Sequence, residues 1–192
     1  MLTIQTNLIN RFDAACHLAF DTTASHCGLP GASFTSGTRI DVASGTCAVE
    51  HIVLGDLLQT LDDGLQPVRS VRRETQRVIG DAAPVLFETG SIGNSGPILM
   101  AADQRILISD WRAELFLGCD EVLVAARDLV NGRDIRVVEG AEVSFIQLSF
   151  ERIQIVFAQG CAFECSRSQS TSRAPAVRMV ARPPEAVCLM AA

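Results

Sequence analysis

Residues 33–42, Ser-Phe-Thr-Ser-Gly-Thr-Arg-Ile-Asp-Val, mark the point where the sequence changes from a helical pattern to a strand pattern. After Ser33, short runs of β-branched and other apolar residues alternate with turn residues at short intervals. This pattern continues as far as residue 165. The sequence therefore predicts an all-β domain over residues 31–165.

Turn residues indicate how the strands of this domain connect. Asp62-Asp63-Gly64 is typical of a hairpin turn, so we expect residues 57–61 and 68–78 to pair across it. We expect residues 143–149 and 153–158 to pair as a final hairpin. The remaining predicted strands are 38–42, 98–100, 105–108 and 121–124, with a helical turn over 127–130.

Two segments flank the predicted domain. Residues 7–19 carry Leu8, Phe12, Ala15 and Ala19 at helical spacing, which predicts a short amphipathic helix within an N-terminal arm and linker, residues 1–30. Residues 166–192 are rich in Ser, Arg and Pro and too polar to bury much, so we expect an extended C-terminal tail.

Composition excludes several classes of protein. The 192 residues are 48% hydrophobic and 20% charged, which fits one globular domain with arms. No apolar run reaches the roughly 18 residues of a membrane helix, and the N-terminus lacks the basic and apolar regions of a secretory signal. A net charge of −6 argues against nucleic-acid binding. We expect a cytoplasmic protein or a component of an assembled particle.

Five sequence blocks in order resemble the Hint (Hedgehog/intein) family in its bacterial stand-alone form. Residues 33–40 are similar to its opening pattern, Cys-Phe-x-x-Gly-Thr-x-Ile. The later blocks correspond to residues 53–69, 93–107, 121–130 and 145–160. The resemblance implies a twisted β horseshoe with pseudo-twofold symmetry. It also implies self-cleavage before the first residue of the opening block, which here would divide Ala32 from Ser33.

The residues that would perform this cleavage are replaced. The family reaction needs a strong nucleophile, a donor for the departing amide nitrogen and groups that orient the carbonyl. By resemblance, the nucleophile position is Ser33, and the Thr-x-x-His motif corresponds to Ala101 and Gln104. Two histidines of the last block correspond to Gln147 and Ile153, and the following Asn-Gly to Gln159-Gly160. We therefore expect no catalytic residues, no cofactor and no metal.

Other candidate sites are weaker. Cys16-His17 and His26-Cys27 fit no standard zinc spacing, and the spacing of Cys161 and Cys165 differs from that of a redox motif. Three further features have ordinary explanations. We expect His51 to lie in an exposed loop and Arg72, Arg73 and Arg77 to form a solvated face. Trp111 fits an interface anchor and a half-buried core position equally well.

The function that best fits these observations is an inactive Hint-fold module in a multi-subunit bacterial or phage-derived particle, such as a virion or tail. Residues 1–30 and 166–192 would bind other protein subunits or copies of the same chain. The alternative is a slow self-cleaving domain that uses Ser33 as its nucleophile. A third hypothesis, a metal- or thiol-dependent regulator, would use Cys16, Cys27 and their neighbouring histidines.

Overall fold

A computed structural model describes residues 33–168 of the chain. These residues form fourteen strands, one short α-helix and three single-turn 3₁₀ helices, which confirms the all-β prediction. The strands are β1 Phe34–Thr35, β2 Arg39–Val42, β3 Gly45–Ala48, β4 Leu57–Thr60, β5 Gly64–Pro67, β6 Ser70–Arg77, β7 Val85–Phe87, β8 Ile98–Met100, β9 Arg105–Ile108, β10 Val122–Ala125, β11 Ile135–Val137, β12 Glu142–Phe150, β13 Gln154–Ala158 and β14 Cys161–Arg167. The arm helix and most of the tail predicted from the sequence lie outside the described residues.

The strands form one continuous network. The main path runs β11-β7-β8-β1-β12-β14-β13-β2-β4-β5, with β6 paired to β12, β9 to β14, β10 to β9, and β3 to β2. Neighbours are antiparallel except β12 and β14, which are parallel through Ser149↔Ser166 and Phe150↔Arg167. Because β12 and β14 contact β1, β6, β9 and β13, they form the centre of the fold.

The predicted final hairpin is wrong. β12 pairs with β6 over eight residues, from Ser70↔Ser149 to Arg77↔Glu142, and β13 pairs with β14 instead. The tight turn that closes the β13–β14 hairpin is Gln159-Gly160, with φ values of 48° and 86°. Two positive φ values are typical of the two-residue hairpin turns that match strand twist. β14 continues through Arg167, two residues beyond the predicted end of the domain.

The predicted turn at Asp62-Asp63-Gly64 is present, but it joins different strands from those expected. It connects β4 to β5, with Leu57↔Pro67 and Thr60↔Gly64 at the ends of the ladder. Residues 68–78, expected as the partner, instead form β6 against β12. Pro67 lacks a backbone N–H, so it ends the short β5 ladder and allows a separate strand to begin at Ser70.

The single α-helix, α1, spans Trp111–Leu117 between β9 and β10. Trp111 is the first residue of α1 and is 56% exposed. The prediction of a half-buried core position for this residue is therefore wrong. Within residues 33–168 no helix has the length and apolar character needed to cross a membrane. The predicted helical turn over 127–130 is confirmed as a 3₁₀ turn at Ala126–Leu129.

The main core fills the space beneath β1 and β14. Phe34 and Phe163 are fully buried, and their rings meet edge to face with centroids 5.8 Å apart. This geometry is the favoured arrangement of two aromatic quadrupoles. Phe163 alternates along β14 with the partly buried Ala162 and Glu164. The face of β14 that carries Phe163 therefore packs in the core, where it contacts Phe34 of β1.

We expect Phe163→Leu to lower the free energy of unfolding by about 1–3 kcal/mol, because it removes the aromatic pair and leaves a cavity. Urea denaturation followed by circular dichroism measures this change. Phe157→Leu on β13 is the matched control, since Phe157 is only partly buried, and it should cost less than about 1 kcal/mol. Equal losses for the two variants would contradict the central role of the Phe34–Phe163 contact.

Candidate functional site

Ser33 lies immediately before β1 and is fully buried. β1 lies between two antiparallel partners, with Phe34 opposite Met100 of β8 and Ile146 of β12. One residue earlier, the same registers put Ser33 between Ala101 and Gln147. The Ala101 N–H donates to the Ser33 carbonyl oxygen over 3.3 Å. The sheet therefore brings together three positions that the resemblance assigns to the reaction.

Gln104 joins this group through the tight turn that follows β8. Its N–H donates to the Ala101 carbonyl oxygen over 3.0 Å. From the other side, the Ala126 N–H donates to the Gln104 carbonyl (2.8 Å) and the Arg127 N–H to the Ala102 carbonyl (3.0 Å). These hydrogen bonds fix the turn between β8 and the 3₁₀ turn after β10, and they connect the fourth position to Ala101, the neighbour of Ser33.

The side-chain amide of the fully buried Gln104 is engaged with backbone carbonyls. Its Nε2 donates to the carbonyl oxygens of Glu164 (2.9 Å) and Arg105 (3.0 Å). Its Oε1 is a buried oxygen without a hydrogen-bond partner in the described structure. An amide does not titrate near neutral pH, so Gln104 cannot protonate a leaving nitrogen. Here it stabilises the junction of β9 and β14.

The two positions of the last block converge on a hydroxyl group that sequence analysis missed. Gln147 is buried on β12, and its Nε2 donates to the Ser166 Oγ over 3.4 Å. The Ser149 Oγ lies 3.4 Å from the same oxygen. Gln154 pairs with Cys165, so the continued register puts Ile153 opposite Ser166. Ser166 was missed because the predicted tail began at that residue.

Gln159-Gly160 stands apart from these residues. It closes the other end of the β13–β14 hairpin, six residues or roughly 20 Å along β13 from Ile153. The Gln159 carbonyl oxygen accepts hydrogen bonds from the Ser95 N–H (2.9 Å) and the Ser95 Oγ (3.1 Å). In this chain the pair therefore shapes a turn and fixes the loop before β8.

Charged side chains in the segments next to β1 and β8 have ionic or hydrogen-bond partners. In the turn after β8, the Asp103 carboxylate forms an ion pair with the Arg127 guanidinium. Burial raises the pKa of the neighbouring Asp128 above its usual value. On the other side of β1, the Glu50 carboxylate accepts the Gly37 N–H over 2.9 Å, which lowers the pKa of Glu50. Of the five predicted positions themselves, none carries a side chain that titrates near pH 7.

Cys161 and Cys165 do not form a disulfide. They point to the same core face of β14, four residues or about 13 Å apart, which exceeds the reach of a disulfide. Burial raises the pKa of the Cys161 thiol to about 11 and that of Cys165 further. Both thiols therefore act as apolar core groups, and the suggested redox pair is excluded.

The remaining candidates have structural explanations or lie elsewhere. His51 is exposed, as expected, at the end of a 3₁₀ turn. The exposed Arg73 donates from Nη2 to the carbonyl oxygens of Ile52 (2.7 Å) and Glu50 (3.3 Å), so it fixes a loop. Within residues 33–168 no cluster of His, Cys, Asp and Glu could hold a metal ion. The suggested ligands in the arm, Cys16, His17, His26 and Cys27, lie outside the described residues.

Comparisons with known proteins give one family. A family model of the Hint domain matches residues 32–169. A bacterial intein-like domain from Clostridium thermocellum is 14% identical, with a TM-score of 0.49, and 69% of this chain and 96% of that chain are covered. The TvoVMA intein is 12% identical with a TM-score of 0.47, covering 71% and 98% of the two chains. The MchDnaB-1 intein is 13% identical with a TM-score of 0.45, and 69% of this chain and 98% of that chain are covered. No curated protein matches.

Native-state alkylation should distinguish the two core thiols from reactive ones. At pH 8 a thiol with a pKa of about 11 is about 0.1% thiolate, so Cys161 should react with iodoacetamide ~100-fold more slowly than in urea. Cys165 should be equally protected because it is fully buried. Peptide mass spectrometry of native and unfolded protein measures both rates. Rapid labelling of Cys165 in the native protein would contradict its placement in the core.

Proposed function

The chain belongs to the Hint-domain family, and we propose that it keeps the family's β scaffold without self-cleavage and serves as an interaction module. The observation that supports this proposal is the hydrogen bonding of the Gln104 side-chain amide. This amide is fixed between the carbonyl oxygens of Arg105 and Glu164, and by resemblance Gln104 occupies the position of the proton donor. Without protonation of the leaving nitrogen, attack on the preceding carbonyl reverses instead of breaking the C–N bond.

Ser33 weakens the reaction further. For cleavage, the Ser33 Oγ would attack the carbonyl carbon of Ala32 and lose its proton. The C–N bond would then break, and the Ser33 nitrogen would take up a proton to give an ester and a free amine. A serine hydroxyl is a much poorer nucleophile at neutral pH than a cysteine thiol. The Ala101 N–H donates to the Ser33 carbonyl, one peptide too late to polarise the bond that would break.

The partners in this proposal are other protein subunits or copies of the chain. We propose that residues 1–30 and 166–192 bind them in a multi-subunit particle of bacterial or phage origin. Two features support this proposal: the residues of the family's chemistry are replaced, and the chain continues on both sides of the strands, before Phe34 and after Arg167. A chain that is found only as a free monomer in its native source would contradict this setting.

The intact mass of the purified chain tests the absence of cleavage. After incubation with excess dithiothreitol or hydroxylamine, which attack thioesters and esters, we expect a single species of 20.6 kDa. Ser33→Ala is the matched control and should give the same spectrum. Fragments that divide at Ala32–Ser33 in the wild type but not in Ser33→Ala would favour the alternative, a slow self-cleaving domain with Ser33 as its nucleophile.

Restoring the replaced residues tests whether the scaffold is intact. We expect Ser33→Cys combined with Ala101→Thr and Gln104→His to cleave at residue 33 when thiol is added, because Ser33, Ala101 and Gln104 already lie together. General acid–base catalysis typically contributes ~10²-fold, so Ser33→Cys alone should cleave at least ~100-fold more slowly. Circular dichroism confirms folding of both variants. A folded triple variant that does not cleave would contradict the preserved scaffold.

A further inference from the structure

The β4–β5 hairpin presents an apolar surface to solvent. Val53, Leu54, Leu57, Leu61 and Leu65 are 54%, 69%, 45%, 38% and 43% exposed, and we call these five residues the hairpin patch. On β4, Leu58 and Thr60 point into the core, so Leu57 and Leu61 point outward. The register Gln59↔Leu65 puts Leu65 on the same outer face. A group of exposed leucines on one face is typical of a binding surface.

The patch lies at an open edge of the sheet. β5 ends the strand path, and within residues 33–168 it pairs only with β4. An edge strand offers unpaired backbone N–H and C=O groups to another segment. The patch and this edge together could bind an extended segment that carries apolar side chains.

The charge of the hairpin indicates what that segment should contain. Residues 53–67 include Asp56, Asp62 and Asp63 but no Arg or Lys. The Asp63 Oδ2 is 2.8 Å from the Nε2 of Gln154, which is neutral, and 3.9 Å from the nearest cation, Arg152. A segment that docks here should therefore combine apolar residues with positive charge.

The chain itself contains such a segment. Residues 173–182, Arg-Ala-Pro-Ala-Val-Arg-Met-Val-Ala-Arg, carry three arginines, two valines and one methionine, with no acidic residue. Residues 1–32 are less suitable, because they contain a single Arg and two Asp. Charge complementarity therefore favours residues 173–182 over the other flank.

The end of β14 is close enough for this contact. The Ser168 N–H donates to the Phe150 carbonyl, the Arg69 N–H to the Ser149 carbonyl, and the Gly55 N–H to the Val68 carbonyl. Each of the three steps joins neighbouring segments about 5 Å apart, and the path also includes two steps of about 4 Å along the chain, so Gly55 lies within roughly 23 Å of Ser168. Residues 169–177 span up to about 30 Å when extended, so Val177 can reach the patch. Docking within one chain also benefits from an effective concentration in the mM range.

We propose that residues 173–182 dock on the hairpin patch of the same chain, which leaves residues 1–30 and the rest of the tail for contacts with other subunits. The arginines lie against the acidic hairpin, and Val177, Met179 and Val180 supply apolar contacts to the exposed leucines. This proposal does not depend on whether the site at Ser33 is active, because cleavage there would leave residues 33–192 connected.

Limited trypsin digestion of the full chain tests the contact. We expect Leu57→Asn combined with Leu65→Asn to increase cleavage after Arg173 and Arg178 by at least tenfold, as measured by mass spectrometry. Ile79→Asn is the matched control, because Ile79 is 66% exposed outside the patch, and it should leave the rate unchanged. High salt should accelerate cleavage of the wild type by screening the charges. Equal rates in wild type and the patch variant would overturn the proposal.

Photo-cross-linking identifies the docking partner of the segment. With p-benzoylphenylalanine in place of Val177, we expect cross-links to peptides from residues 53–67 in a product with the mass of one chain. The Leu57→Asn/Leu65→Asn background should reduce this product at least fivefold. Cross-linked dimers would instead show docking on a second copy, and cross-links elsewhere would exclude the hairpin patch. Either result would overturn docking within one chain.

Discussion

The parallel pairing of β12 with β14 is the constraint on which the rest of the structure depends. β12 aligns β1 and β6, and β14 aligns β9 and β13, so this one contact joins the two groups of strands. It also determines the site, because β12 supplies Gln147 opposite Ser33 and β14 supplies the Glu164 carbonyl that binds Gln104. The strand pairing that forms the fold therefore also positions the residues of the site.

The replaced positions stabilise the scaffold. Gln104 fills a buried position and makes two hydrogen bonds to carbonyls, although its Oε1 has no partner among the described residues. Such an oxygen costs about 1–3 kcal/mol unless water or another group reaches it. Gln147 likewise forms a neutral contact with Ser166. Neutral amides avoid the cost of burying a charge, so a scaffold free of catalysis can keep these positions polar without an ion.

Sequence patterns predicted the strands better than their pairing. Residues 98–100 and 105–108 and the turn at 62–64 were found because local apolar runs and turn residues determine them. The final hairpin was missed for a physical reason. From Phe145 to Phe150 both faces of β12 are buried, so alternation disappears, and Gln159 adopts positive φ without being the Asn that typically marks this turn. For the site, the resemblance identified Ser33, Ala101, Gln104 and Gln147. Ser166 could be found only from the parallel register of β12 and β14, which no local sequence pattern encodes.

The same register bears on the proposed role of an uncleaved chain as an interaction module. Ser33 lies opposite Gln147, and the Ser168 N–H bonds to the carbonyl of Phe150, so both flanks leave the domain beside β12. Along the strand these two points are three residues or about 10 Å apart. Cleavage before Ser33 would separate the N-terminal flank from the domain. Only the C-terminal flank would then remain attached. In the proposed role, an intact Ala32–Ser33 bond would keep both flanks attached to the sheet at nearby points, which binding through both of them requires.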